Sequence, residues 1–95
     1  FRYRIMNFMK IIKTNKAPKA IGPYSQGILT NGFLFTAGQI GLCPKSMKMV
    51  NGGVLEQSVQ VLRNLEAVLL EAGLNKNSVV KTTIFLKNLE DFSDV

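Results

Sequence analysis

The 95-residue chain contains no histidine and a single cysteine. Without an imidazole there is no base to activate Cys43 as a nucleophile, and the commonest ligand of zinc and iron sites is missing. Cys43 therefore reads as an ordinary small residue, and no metal site is expected. A lone cysteine excludes an intrachain disulfide and fits a reducing, cytoplasmic setting. No apolar run approaches the roughly 18 residues of a membrane-spanning helix. Acid is absent from the first half: positions 1–55 hold eight basic residues (Arg2, Arg4, Lys10, Lys13, Lys16, Lys19, Lys45, Lys48) and neither Asp nor Glu.

The net charge of +6 is correspondingly uneven, because residues 56–95 carry four basic and six acidic side chains. A basic half suits an anionic partner such as nucleic acid, a membrane surface or an anionic metabolite, and equally a solvated lysine-rich surface. A hydrophobic content of 46% belongs to a globular protein. At 95 residues there is room for one domain, which would bury only about 60–65% of its unfolded surface and so is expected to pack against other subunits. The chain begins Phe1-Arg2-Tyr3-Arg4 and reaches Met9 only later. Residues 1–8 read as an N-terminal extension (a tag, an alternative start or a leader remnant, which leaves an organellar address open), and residues 9–95 as the domain.

Residues 10–14 form a strand candidate, and residues 15–22 a loop broken by Pro18 and Gly22-Pro23. Residues 25–37 read as a hairpin about Asn31-Gly32, the strongest two-residue type I′ turn signal; it sets Thr30 opposite Phe33 and Ile28 opposite Phe35. Ile28, Phe33 and Phe35 take one face, and Leu29 and Leu34 the other, so both faces need cover and one calls for a second subunit. After a long loop over 41–53, the spacing of Leu55, Val59, Leu62, Leu65 and Leu69 predicts a helix over 54–72. Gly73 is its C-cap, and Val54, Val61 and Val68 make a second stripe. Residues 79–86 are β-branched and read as a strand. Asn88 is placed to cap a further helix with Asp91 at the capping-box position, and that helix has scarcely two turns before Val95. Strands and helices in this order make an α+β fold.

Two irregular stretches flank the hairpin. Ala20-Ile21-Gly22-Pro23-Tyr24-Ser25-Gln26-Gly27 contains a turn set by Gly and Pro, from which Tyr24 emerges with an apolar ring and a hydrogen-bonding tip. Thr36-Ala37-Gly38-Gln39-Ile40 follows the second strand. The two can meet around a small pocket. Gln26 and Gln39 read as amides that brace backbone.

Together with Val79-Val80-Lys81-Thr82-Thr83-Ile84-Phe85-Leu86 and Leu89-Glu90-Asp91-Phe92, these stretches resemble the Rid family of reactive-intermediate (enamine/imine) deaminases, also known as L-PSP proteins. The resemblance runs from about Met9 to Val95. It implies a chorismate-mutase-like fold, a mixed β-sheet with helices packed on one face, incomplete at the C-terminus, and three subunits joined in a homotrimer with sites at the interfaces. The implied reaction is hydrolysis of enamines and imines of the 2-aminoacrylate type to a 2-keto acid and ammonia, with no cofactor. The implied substrate-binding residues are Tyr24, Ala37, Gly38 and Phe92. Ala37 departs from the pattern, since many members carry a serine whose hydroxyl enters the site; Thr36 points to the opposite face. In the family an Asn follows the position of Val95, and an Arg-x-Cys segment and a Glu come later. The Arg binds the substrate carboxylate and the Glu activates water. No catalytic residue is therefore assigned within the chain, the 95 residues alone are expected to be nearly inactive, and the full-length parent is expected to be active. Two further readings stay open: a nucleic-acid-binding protein or ribonuclease, and a non-catalytic small-molecule-binding trimer.

Overall fold

The structure, a computed structural model, describes residues 9–95. The N-terminal extension assigned to residues 1–8 lies outside the described residues. Strands β1 (Lys10–Ile12), β2 (Gly27–Thr30) and β3 (Phe33–Thr36) form an antiparallel sheet in that order. Helix α1 (Val54–Glu71) follows, and 310 turns occur at Lys76–Ser78 and Leu89–Asp91. This is an α+β arrangement, as the sequence indicated, although every strand pair among the described residues is antiparallel and no mixed pairing is seen.

The hairpin forms as the turn signal requires. Asn31 (φ 50°) and Gly32 (φ 80°) both take positive φ, the signature of a type I′ turn whose twist matches its strands. Thr30 pairs with Phe33 and Ile28 with Phe35, while Ile11 pairs with Ile28 and Ile12 with Gly27. Residue alternation then puts Ile12, Leu29 and Leu34 on the helix side. There they pack around a core of Ile12, Ala17 and Val68, joined by Ala67 and Ala72. The other face stays open, with Ile11, Phe33 and Phe35 each 59–63% exposed.

Helix α1 begins where the Glu56 carboxylate accepts the Gly53 N–H at 2.7 Å. It ends in a Schellman motif: Gly73 takes φ 78°, Leu74 N–H donates to Leu69 O (2.9 Å) and Gly73 N–H to Leu70 O (3.0 Å). The helix turns a different side to the sheet from the one its main apolar stripe suggests. Leu55, Val59 and Leu62 are about half exposed or more, whereas Val68 and Asn64 are fully buried and Gln57 and Val61 half-buried. The reason is close approach. A Cβ on Gly27 would stand 3.1 Å from Val68 Cγ1, and one on Gly41 would stand 3.1 Å from the Cα and Cβ of Gln57. The line of residues 57, 61, 64 and 68 is the one onto which those two glycines fit.

Three further expectations are corrected. The loop over 41–53 contains a tight reversal in which Leu42 bridges Met49, Cys43 N–H donates to Lys48 O and Val50 N–H to Gly41 O. Residues 79–86 do not form a strand: from Val80 to Leu86 no main-chain hydrogen bond is made among the described residues, and Val80 and Phe85 are 87% and 92% exposed. β-Branched alternation makes a segment competent to pair, but a strand needs a neighbour to take its N–H and C=O groups. Finally, Asn88 caps nothing with its side chain, and only a 310 turn follows. Leu89 (81% exposed) and Phe92 (75%) find no apolar surface, and so short a helix has no stability without one. No helix among the described residues is long and apolar enough to cross a membrane.

Candidate functional site

The end of the hairpin away from its turn brings the two irregular stretches together. Gly22 sits at φ 134°, a conformation that side-chain-bearing residues resist, and its carbonyl accepts the Tyr24 N–H at 2.9 Å. The chain thereby folds back so that the Tyr24 phenol oxygen accepts the Ile21 N–H at 3.4 Å. Tyr24 is 53% exposed. Its hydroxyl hydrogen remains free to donate outward.

Gln26 locks this turn to the rest of the fold. It is 2% exposed, and its side chain accepts the Thr14 N–H (2.6 Å) and donates to Thr14 O (3.0 Å), Ala17 O (3.3 Å) and Pro18 O (2.8 Å). Its own carbonyl accepts the Ala37 N–H at 3.0 Å. The backbone-bracing role read for Gln26 is what the geometry shows. Gln39, given the same role, is half-buried and makes no side-chain hydrogen bond among the described residues.

Tyr24 stands two residues before Gln26, Ala37 is hydrogen-bonded to Gln26, and Gly38 continues the second stretch. Ala37 is half-buried; Gly38 is exposed, with open space where a side chain would stand. Phe92 follows the second 310 turn and is 75% exposed. The site as described is an open wall, made of a phenol and a stretch of accessible backbone.

Sequence reasoning overlooked Asn64. It is fully buried on α1, donates to the carbonyls of Ile40 (3.2 Å) and Leu42 (2.9 Å), and accepts from Gln60 Nε2 (2.8 Å). The available signal was an amide set between Val61 and Val68 on one helix face. Cys43 lies in the reversal after Leu42, where the Ser46 N–H and hydroxyl and the Lys45 N–H hold its thiol below the ordinary range. A shallow depression of about 350 Å³ runs along the exposed side of α1, lined among others by Glu56, Gln60 and Arg63. None of the residues singled out from the sequence as substrate-binding lines it. No cluster of three or more His, Cys, Asp or Glu suited to a metal occurs among the described residues.

An antiparallel three-stranded sheet closed on one face by a helix, with a glycine-turned tyrosine at its end, makes a small α+β domain. Two solved structures share it: YyfA from Yersinia pestis, described as a protein of the conserved Rid family (TM-score 0.88, 46% identity, 90% of this chain and 68% of that one), and E. coli TdcF with bound serine (TM-score 0.84, 40% identity, 88% and 65%). The pattern described as Endoribonuclease L-PSP matches residues 14–95, and the chain belongs to that family. Among curated relatives, a RutC family protein of Synechocystis is 57% identical over 88 residues (92% of this chain, 68% of the relative). The 2-iminobutanoate/2-iminopropanoate deaminase of Mus musculus is 48% identical over 86 residues (90% and 64%). The chain thus spans about two thirds of the length of the relatives it matches.

Proposed function

We propose that this protein, at the length its relatives have, hydrolyses reactive enamines and imines that carry a carboxylate. The observation that carries the reading is the 48% identity to the Mus musculus deaminase over 86 residues. In the reaction, water adds to the C=N carbon, the C–N bond of the resulting carbinolamine breaks, and ammonia leaves behind a 2-keto acid. Tyr24 supplies a hydrogen bond to the substrate or to the attacking water. Ala37 and Gly38 offer accessible backbone along one side, and Phe92 an apolar wall. Ala37 adds no hydroxyl of its own.

The uncovered sheet face of Ile11, Phe33 and Phe35 supports a homotrimer in which a neighbouring subunit completes the site. Neither Arg63, the one arginine among the described residues, nor any carboxylate is hydrogen-bonded to the Tyr24 and Ala37 backbone. A desolvated arginine–carboxylate pair is worth about 2–5 kcal/mol, so the 95 residues alone bind and turn over such a substrate poorly. The assay generates 2-aminoacrylate enzymatically and follows release of the keto acid. Acceleration by the whole protein and little by the 95-residue chain is expected. No acceleration by the whole protein refutes the reading; strong turnover by the 95 residues refutes the need for an added arginine.

A second reading, nucleic-acid binding, draws on the six exposed lysines at positions 10, 13, 16, 19, 45 and 48 and on the family's description. It requires RNA binding or cleavage that persists at physiological salt, because purely phosphate-driven binding collapses steeply as salt rises.

A further inference from the structure

We infer that Asn64 is a positioning residue that fixes the course of residues 37–42, and through them the wall formed by Ala37 and Gly38; its bearing on turnover rests on the deaminase reading. A fully buried amide on the sheet-facing side of a helix needs a reason, since a leucine there would bury more apolar surface and require no partners. The partners of Asn64 supply the reason. Its Nδ2 spans the two carbonyls on either side of Gly41, those of Ile40 and Leu42, and its Oδ1 accepts from Gln60. Both carbonyls can only accept, so the orientation of the amide is fixed. Gly41 itself is buried and lies so close to α1 that a Cβ would stand 3.1 Å from the Cα and Cβ of Gln57. Asn64 and Gly41 together clip one end of the stretch to the helix.

The other end is clipped by Gln26, whose carbonyl takes the Ala37 N–H. Between the two clips, Gly38 and Gln39 make no main-chain hydrogen bond among the described residues, and Gly38 faces open space. A short span held at both ends and free between them takes its shape from its posts. Asn64 is one post. It does not touch substrate; it acts through the carbonyls of Ile40 and Leu42. That leaves the N–H groups of Gly38 and Gln39 without main-chain partners among the described residues, as backbone donors in a substrate wall must be.

The test replaces Asn64 with the near-isosteric leucine (Asn64→Leu) and compares it with Val68→Ala, a core truncation that spares the clip. Amide hydrogen exchange on the 95-residue chain is read at Leu42, Cys43 and Val50, the hydrogen-bonded amides of the clipped stretch. Loss of the two clip bonds is expected to speed exchange there by about tenfold or more relative to the β2–β3 amides, with resonance shifts at Gly38 and Gln39. Val68→Ala should leave that ratio unchanged. Should Asn64→Leu not fold, Gln60→Leu, which removes the donor to Asn64 Oδ1 and so loosens the clip, should give the same pattern at smaller amplitude. Exchange ratios within twofold of wild type, or an equal change in Val68→Ala, overturn the inference. In the whole protein, Asn64→Leu should lower kcat/KM about tenfold while Val68→Ala leaves it within twofold; equal losses in both also overturn it. An inactive wild-type protein refutes the deaminase reading alone, because the exchange experiment needs no substrate.

Discussion

Replacing Gln26 with leucine is expected to be among the most damaging single changes to the hairpin end. The side chain is 2% exposed and ties two segments to the residue that precedes β2: Thr14, just after β1, and the buried turn at Ala17 and Pro18. Leucine fills similar volume, so little is lost in packing. The polar groups left behind decide the size of the effect. Thr14 is half-buried and can recruit water for its N–H and C=O, whereas Ala17 and Pro18 are buried and their carbonyls cannot do so readily. An orphaned buried polar group costs about 1–3 kcal/mol, so two of them give roughly 2–6 kcal/mol. A domain of this size has a stability of about 5–15 kcal/mol in total, and each kcal/mol moves its Tm by roughly 4–8 °C. Urea titration followed by circular dichroism reads the change. Gln39→Leu serves as the control, because Gln39 makes no side-chain hydrogen bond among the described residues; it should move stability by less than about 0.5 kcal/mol. A Gln26→Leu effect under about 1 kcal/mol, or one equal to the Gln39 control, would refute the claim that this amide organises the site.

Further consequences are specific to single atoms. Gly41→Ala places a Cβ 3.1 Å from the backbone of Gln57 and should destabilise by about 1–3 kcal/mol in the same titration, where an exposed alanine would do nothing. Tyr24→Phe removes one phenolic hydrogen bond and, in the whole protein, should lower kcat/KM about 2–10-fold with the fold intact by circular dichroism. The Cys43 thiol, held below its ordinary range by the Ser46 N–H first and the Ser46 hydroxyl second, should be alkylated by iodoacetamide at lower pH in the native chain than in concentrated urea. Ser46→Ala should recover part of the difference. Because the folded value lies below the unfolded one, the thiolate adds to stability only above the unfolded pKa, and that contribution disappears as pH falls through the folded value.

The hairpin was legible because its information is local. Asn31-Gly32 dictates the turn, the turn dictates the register, and the register puts Gln26 beside Ala37. That register joins the stretch that follows Tyr24 to the stretch that holds Ala37 and Gly38, so the meeting of the two irregular segments at Gln26 could be read from the chain. The limits of α1 were legible for the same reason, through Glu56 at one end and Gly73 at the other. Which side of α1 faces the sheet was not. Periodicity offers two stripes, and the choice between them is made by Gly27 and Gly41, residues from distant parts of the chain that let backbone approach. Asn64 escaped notice because its partners are the carbonyls of Ile40 and Leu42, more than 20 positions away in sequence. Residues 79–86 show the converse: their composition declares competence for a strand, while pairing is a property of two segments, and no partner segment lies beside them among the described residues. Phe92 likewise carries the family pattern and stands 75% exposed among the described residues.

The most direct test of the account is where a product-like ligand binds. Titration of 2-oxobutanoate, a 2-keto acid, into the isotopically labelled whole protein should shift the amide resonances of Tyr24, Ala37 and Gly38 together, and leave the depression along α1 at Glu56, Gln60 and Arg63 unmoved. Shifts confined to that depression, or no shift at the hairpin end, would contradict the assignment of Tyr24, Ala37 and Gly38 to the substrate wall.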